Sequence, residues 1–282
     1  MPDLLTAHDL RVTYGRGRNA NEVLKGVSVE IGQGETLGLV GESGSGKTTL
    51  GRAVLGLVPV AGGTLTFAGE DVTRLGARGR RRLARDIQVV FQDPYTSLNP
   101  SMTIRDILTE PLVAQGAKKK DAASTVRALL DQVAMPADAL DRYSREFSGG
   151  QRQRIAIARA LALDPKLIVC DEPVSALDLS TQLKVLDLFI ELQQRTGVAY
   201  LFISHDLSVV RHVSHRVAVM YRGHIVETGP ALQVTDDPQH PYTQRLWAAN
   251  LVADPAEQAN RRAVRQSLPP LDDDALAAAG AT

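Results

Sequence analysis

Thr36-Leu37-Gly38-Leu39-Val40 runs directly into Gly41-Glu42-Ser43-Gly44-Ser45-Gly46-Lys47-Thr48, and that octapeptide into a helical stretch from Thr49 to Leu57. The eight residues satisfy G-x-x-x-x-G-K-[ST] at every defined position, between the strand and the helix that the pattern requires. Its glycines let the backbone turn tightly, so that successive N–H groups face inward onto phosphate oxygens. The N-terminus of the following helix adds partial positive charge. Lys47 is placed to reach the β- and γ-phosphates of a nucleotide, and the Thr48 hydroxyl to ligate Mg²⁺. Thr49 shares that first helical turn and is expected to face the nucleotide as well. A chance match in a chain this long is on the order of one in a hundred.

Three later runs have the same character: Ile87 to Phe91, Leu167 to Cys170 and Val198 to Ile203. Short segments that are apolar throughout suit strands buried on both faces. They lead into Gln92, into Asp171-Glu172 and into Ser204-His205 respectively. Ligands of open parallel sheets sit beyond the carboxyl ends of the strands. Parallel neighbours would therefore bring these polar groups to one edge. Leu4 to Tyr14 and Val27 to Ile31 read as earlier strands, separated by a Gly/Arg/Asn turn region from Gly15 to Asn21. Strands alternating with helical patterns imply an α/β architecture with a mostly parallel sheet.

Between Asn99 and Asp164 the strand pattern gives way to helical ones, about Thr103–Gln115, Lys119–Val133 and Gly150–Leu163. This stretch reads as a helical subdomain, about 99–164, inserted into a domain covering 1–250. From 251 to 282 Ala, Asp and Pro dominate, and this extension is expected to be partly disordered.

Mg²⁺ takes oxygen ligands and keeps some of its waters, so one carboxylate at a strand tip suffices. Asp171 fits that role. Glu172 is then free to orient or deprotonate an attacking water. Two solvated acids at a strand end would be unremarkable alone; the phosphate loop gives them meaning. Cys170 sits in the apolar run and reads as an inert core thiol.

A phosphate loop and an acidic strand serve many nucleotidases and do not separate them. Phe147-Ser148-Gly149-Gly150-Gln151-Arg152-Gln153-Arg154 does. Ser148 is a good N-cap, and two glycines open a helix whose Ile155, Ala158 and Ala162 share a face. Ser148 to Gln151 resembles the signature of ATP-binding-cassette (ABC) ATPases, although Phe147 stands where that signature usually has Leu. Other elements of the family follow in order. Tyr14 is similar to the aromatic that stacks on adenine, Gln92 to the Q-loop glutamine, Ser175-Ala176-Leu177-Asp178 to the D-loop and His205 to the switch histidine. The resemblance covers about residues 5 to 235. It implies a P-loop NTPase (RecA-like) core with a mostly parallel sheet, an N-terminal antiparallel β subdomain and an inserted helical subdomain.

The resemblance further implies ATP and Mg²⁺ as ligands, with Thr48, Gln92 and Asp171 around the metal, and Glu172, His205, Gln92 and Lys47 in hydrolysis. Two cassettes meet head to tail in this family. Ser148, Gly149, Gly150 and Gln151 would face the partner's nucleotide, His205 would hold the γ-phosphate, and Asp178 would link the two sites. The second ATPase subunit would be identical or related. Phe91 to Pro100 is similar to the extended Q-loop of the oligopeptide/dipeptide/nickel importer group, and His240-Pro241-Tyr242-Thr243 to the start of that group's C-terminal extension. Read as an isolated peptide, those four residues would be a plain turn, with Pro241 restricting its predecessor. Members work on the cytoplasmic face of the membrane, beneath two permease subunits fed by a solute-binding protein. Many carry a cysteine-containing tail segment; no cysteine follows Cys170 here.

Composition narrows the alternatives. The 282 residues contain 32 Lys and Arg against 32 Asp and Glu, a net charge of zero. No global basic field exists for nucleic acid or an anionic membrane. One cysteine excludes an intrachain disulfide or a Cys-only metal site, and fits a reducing compartment. No window reaches the roughly 18 apolar residues of a membrane span, and after Met1-Pro2-Asp3 no basic segment followed by an apolar run is seen, so a signal peptide is not expected. The arginines at 78, 80, 81, 82 and 85, and Lys118 to Lys120, read as solvated helix surface. A soluble ABC ATPase acting on nucleic acid in repair or translation is the main alternative, but such proteins generally carry two cassettes, coiled coils or zinc insertions. A small-molecule kinase has no use for Ser148–Gln151 or His205. A module that only holds ATP would most simply lack Glu172.

Overall fold

The computed structural model describes residues 3–120, 122–249 and 262. Two compact units form: one from the chain up to Arg74 and from Leu201 onward, the other from Leu75 to Tyr200.

The first unit begins with strands β1 (Asp3–Tyr14), β2 (Asn21–Gly32) and β3 (Thr36–Val40), helix α1 (Lys47–Val54), and strands β4 (Gly62–Phe67) and β5 (Glu70–Asp71). Strands β2-β1-β4-β5 make an antiparallel sheet. Its alternation explains why β1 is not a simple repeat. Leu5 and Ala7 are buried, then Leu10 and Val12, so the buried face switches from odd to even positions. A bulge between Ala7 and Leu10 absorbs the switch. Asp9 sits there at φ 47°, its N–H donating to Ser28 Oγ at 3.0 Å. Without the extra residue, Leu10 and Val12 would face solvent.

The second unit carries α2 (Ala77–Asp86), β6 (Ile87–Val90), α3 (Pro94–Ser97), α4 (Ile104–Ala114), α5 (Ala122–Gln132), α6 (Gly149–Leu161), β7 (Leu167–Asp171), α7 (Leu179–Thr196) and the start of β8 (Ala199–Ser204). Strands β6 and β7 are parallel, with Val90 opposite Cys170. From 99 to 164 the described residues form helices and turns, apart from one isolated bridge between Thr103 and Tyr143. Helix α2 buries only Leu83, so its arginines are indeed a solvated face. Helix α6 differs from the one-faced helix its spacing suggests. Ala156, Ile157 and Ala160 are buried alongside Ile155 and Ala158, the pattern of a helix enclosed around most of its circumference.

The chain returns to the first unit with α8 (Leu207–Val213), β9 (Arg216–Tyr221), β10 (His224–Pro230), α9 (Ala231–Asp236) and α10 (Pro241–Ala249). Strand β9 is parallel to β3 and antiparallel to β10, and β8 is the other neighbour of β3. All residues of β3 and of β8 are buried, which accounts for their largely apolar sequence without a charged residue. Several features differ from the sequence reading, among them the early strand read as Val27–Ile31, which runs from Asn21 to Gly32 as β2. The helix after the phosphate loop starts at Lys47 rather than Thr49, and the signature helix ends at Leu161 rather than Leu163. His240 to Thr243 is not a turn: Pro241 opens α10, where its missing N–H costs nothing. Apart from Arg262, the extension from 251 to 282, expected to be partly disordered, lies outside the described residues.

Candidate functional site: a phosphate loop and an acidic strand end

In the first unit, Gly41–Gly46 closes over the N-terminus of α1. Lys47 is the first helical residue and only 5% exposed. Its Nζ donates to the carbonyl oxygens of Gly41 at 2.7 Å and Glu42 at 2.9 Å, so the ammonium is held inside the loop it belongs to. Gly41 permits a close approach: a Cβ there would lie 2.1 Å from the Met220 carbonyl oxygen. Gly44, at φ +83°, has nothing within 4 Å of such a Cβ and faces open space. Gly46 supplies the N-cap in a left-handed conformation that few other residues adopt. Behind the loop, the Gly223 N–H donates to the Ser45 carbonyl at 2.9 Å. The Glu42 N–H donates to Tyr242 Oη at 2.9 Å. The same unit holds Tyr14, 38% exposed at the end of β1, and an exposed His205 directly after β8.

In the second unit, the parallel pairing of β6 and β7 puts Gln92 and Asp171-Glu172 at the same end. Gln92 Nε2 donates to Glu172 Oε2 at 3.2 Å. Glu172 adopts φ 49°, unusual for a residue with a side chain. Its carbonyl accepts from the Ser175 N–H at 3.3 Å and Ser175 Oγ at 3.1 Å, which pins the turn that follows. Burial raises the Cys170 thiol well above its usual range, in keeping with an inert core residue.

Asp178 caps α7, accepting from the Thr181 N–H at 3.0 Å and Ser180 Oγ at 2.7 Å. Those hydrogen bonds, Thr181 first, hold its carboxyl well below the usual range. Ser148 Oγ accepts from the Gln151 N–H at 3.4 Å while Gln151 Oε1 accepts from the Ser148 N–H at 3.0 Å, a reciprocal capping box. The signature residues thus also build the start of α6. Phe147, in place of Leu, is buried under the Arg142 guanidinium, 4.4 Å from its ring centroid. The extended Q-loop is tied to the same helix. Arg152 lies 4.2 Å over the Tyr95 ring, and Arg159 Nη1 donates to the Ser97 carbonyl at 2.6 Å.

Sequence reasoning missed Tyr242 as a neighbour of the phosphate loop, and nothing local marks it. It also passed over Gln151 as a capping partner, although S-x-x-Q before an apolar helix is the recognisable signal.

This loop, on this α/β framework and followed by the Ser148–Gln151 helix start, defines an ATP-binding cassette. The chain belongs to the ABC transporter family, whose model matches residues 24–175. Among curated relatives, the glutathione import ATP-binding protein GsiA of Shigella boydii serotype 4 (strain Sb227) is 54% identical over 237 residues. The same protein of Escherichia coli (strain K12) matches equally, at 54% over 237 residues. Each alignment covers 84% of this chain but 38% of the relative, so the chain spans well under half their length. Among solved structures, cbiO1 from Clostridium perfringens, described as part of the ABC transporter complex cbiONQ, superposes with a TM-score of 0.76 at 25% identity. That match covers 87% of this chain and 96% of the other. The ATP-binding cassette MJ0796, described as a dimer in a post-hydrolysis state with ADP and Pi, gives a TM-score of 0.71 at 26% identity, covering 80% and 98%. No helix among the described residues is long and apolar enough to cross a membrane.

Proposed function

We propose that this chain binds and hydrolyses ATP, and that nucleotide-driven pairing with a second cassette powers solute import through partner permeases. The observation that carries the reading is the phosphate loop, with Lys47 held against the Gly41 and Glu42 carbonyls at the N-terminus of α1. Backbone N–H groups from Ser43 to Thr49 would hold the phosphates, with Lys47 as the fixed cation. Tyr14 would stack on the adenine. Glu172 would take the proton of the attacking water, oriented by its hydrogen bond with Gln92. His205 would hold the γ-phosphate.

Thr48, Gln92 and Asp171 offer the oxygen donors that Mg²⁺ prefers. Among the described residues no group of three or more His, Cys, Asp or Glu forms a metal cage. When bound, Mg²⁺ would supply charge neutralisation on the phosphates.

Ser148, Gly149 and Gly150 would contact nucleotide held by the second cassette, with Gln151 supporting that helix start and Asp178 linking the two sites. ATP then has the differential affinity for the closed pair that shifts the equilibrium, and its hydrolysis removes it. The solute would be a di- or oligopeptide. Glutathione, itself a tripeptide, is what the relatives' name specifies. A solute-binding protein would deliver it, and this chain would sit on the cytoplasmic face of the membrane.

The test has two arms. ATPase activity of the full chain should vanish in Lys47→Ala, and permeases should co-purify with the tagged chain from membranes. Activity that survives Lys47→Ala would overturn the catalytic assignment; recovery of nucleic acid instead of permeases would favour the alternative role.

A further inference from the structure

Tyr242 stands 200 positions after Glu42, yet its hydroxyl receives the Glu42 N–H at 2.9 Å. That N–H belongs to the peptide joining Gly41 to Glu42, and no cis peptide occurs among the described residues. A trans peptide points its C=O and N–H in opposite directions. The C=O of this peptide is the Gly41 oxygen that receives Lys47 Nζ at 2.7 Å. One peptide plane is therefore gripped from both sides, by Lys47 within the loop and by Tyr242 from α10. With both ends engaged, the plane cannot rotate without breaking a hydrogen bond.

The tyrosine is well suited to hold that position. It is 1% exposed, and its ring lies 4.2 Å from that of Tyr221, centroid to centroid. It packs in one cluster with Val40, the last residue before the loop, and with Leu207 and Val210 from the helix after His205. Burial pushes its hydroxyl up to about 12, so the group stays neutral across ordinary pH. Further along α10, Leu246 and Ala249 line a cavity of about 210 Å³ together with His205 and Leu207. One helix thus touches the phosphate loop at its start and the surroundings of His205 towards its end.

We propose that Tyr242 is a positioning residue for the nucleotide, fixing the Gly41–Glu42 peptide and so the anchor of Lys47, and that α10 senses occupancy of the loop through it. The inference rests on the nucleotide reading of that loop. Trp247, the chain's one tryptophan, lies on α10 and packs against the Tyr242 cluster. It is a built-in reporter.

The experiment uses the full chain, as wild type, Tyr242→Phe and Lys47→Ala. Titration with a fluorescent ATP analogue and Mg²⁺ gives affinity, Trp247 emission gives the response of α10 to ATP, and melting without nucleotide gives stability. Tyr242→Phe keeps the ring in its cluster and removes one oxygen. Its melting temperature should fall by only a few degrees. Its nucleotide affinity should weaken about fivefold or more, the loss of one loop-fixing hydrogen bond. The ATP-induced change in Trp247 emission should shrink with it. Wild-type affinity in Tyr242→Phe would overturn the inference alone. Absence of binding in the wild type, or undiminished binding in Lys47→Ala, would overturn the nucleotide reading and the inference with it.

Discussion

Gln92 and Glu172 lie 80 positions apart and are joined by a hydrogen bond of 3.2 Å, the amide nitrogen donating to the carboxylate. The contact follows from the parallel pairing of β6 with β7, which carries both residues past the same strand end. It orients the Glu172 carboxylate, the group proposed here as general base. Glu172→Gln keeps the shape and an oxygen for Gln92 while removing the capacity to accept a proton. Turnover should fall by about 100-fold or more, with ATP affinity unchanged and ATP-dependent dimers accumulating on gel filtration. Brisk hydrolysis by this variant would remove Glu172 from its assigned role.

The glycines of the phosphate loop should separate by mechanism. At Gly41 an added methyl would lie 2.1 Å from the Met220 backbone oxygen, which cannot retreat without shifting β9. Gly41→Ala should therefore lose about 3 kcal/mol in urea unfolding. At Gly44 the space is open and only the φ of +83° opposes a side chain. Gly44→Ala should lose about 1–2 kcal/mol. Equal losses would contradict this division between clash and strain.

How far the sequence alone could reach is visible in these same residues. Strand β3 was readable to the residue, because five uncharged positions between Glu35 and a glycine-rich turn leave little choice. Gln92 and Glu172 could be expected near each other because both follow buried strands. Strand β10 escaped notice because His224–Pro230 mixes polar and apolar residues without a clean period, and β9 was passed over although Val217-Ala218-Val219-Met220 is as apolar and buried as the runs that were read. The Glu42–Tyr242 contact was beyond reach for a different reason. A hydrogen bond 200 positions long depends on how α10 folds back in three dimensions, and no local pattern encodes it. Asp178, Ser148 and Gln151 show the opposite problem: motif residues whose capping work is as plain as any proposed ligand contact.

Histidine should set the stability of this protein in mildly acidic solution. His240 Nδ1 accepts from the Tyr242 N–H at 3.2 Å, which requires an unprotonated nitrogen. Burial lowers its pKa from 6.5, against the opposing influence of Glu227, whose carboxylate receives the His240 N–H at 3.1 Å. His224 is lowered in the same direction, by burial first and then by Lys25 and Arg11. Below 6.5 the unfolded chain takes up protons that the folded chain resists. Stability should thus be level above that pH and fall as pH drops from it towards the lowered folded values. The lowered carboxylates Asp71, Asp106 and Glu146 begin from 3.8, 3.8 and 4.5 and act only in more acidic solution. His240→Asn keeps an acceptor near Nδ1 and cannot protonate. Its melting temperature should depend less on pH than the wild type between about pH 7 and 5.5, and an identical profile would refute the assignment.

Ser148 allows the structural and functional roles of the signature to be separated. Its Oγ caps α6 through the Gln151 N–H, so Ser148→Ala should lose about 1 kcal/mol of stability whatever else the residue does. Aspartate is an equally good cap and adds favourable charge at a helix N-terminus. Ser148→Asp should therefore melt at or above the wild-type temperature. The same negative charge would repel a γ-phosphate presented by a second cassette, so ATP-dependent pairing and hydrolysis should both be lost in this stable variant. If Ser148 did nothing more than begin the helix, the aspartate form would hydrolyse ATP as well as the wild type, and the proposed contact with the partner's nucleotide would fall.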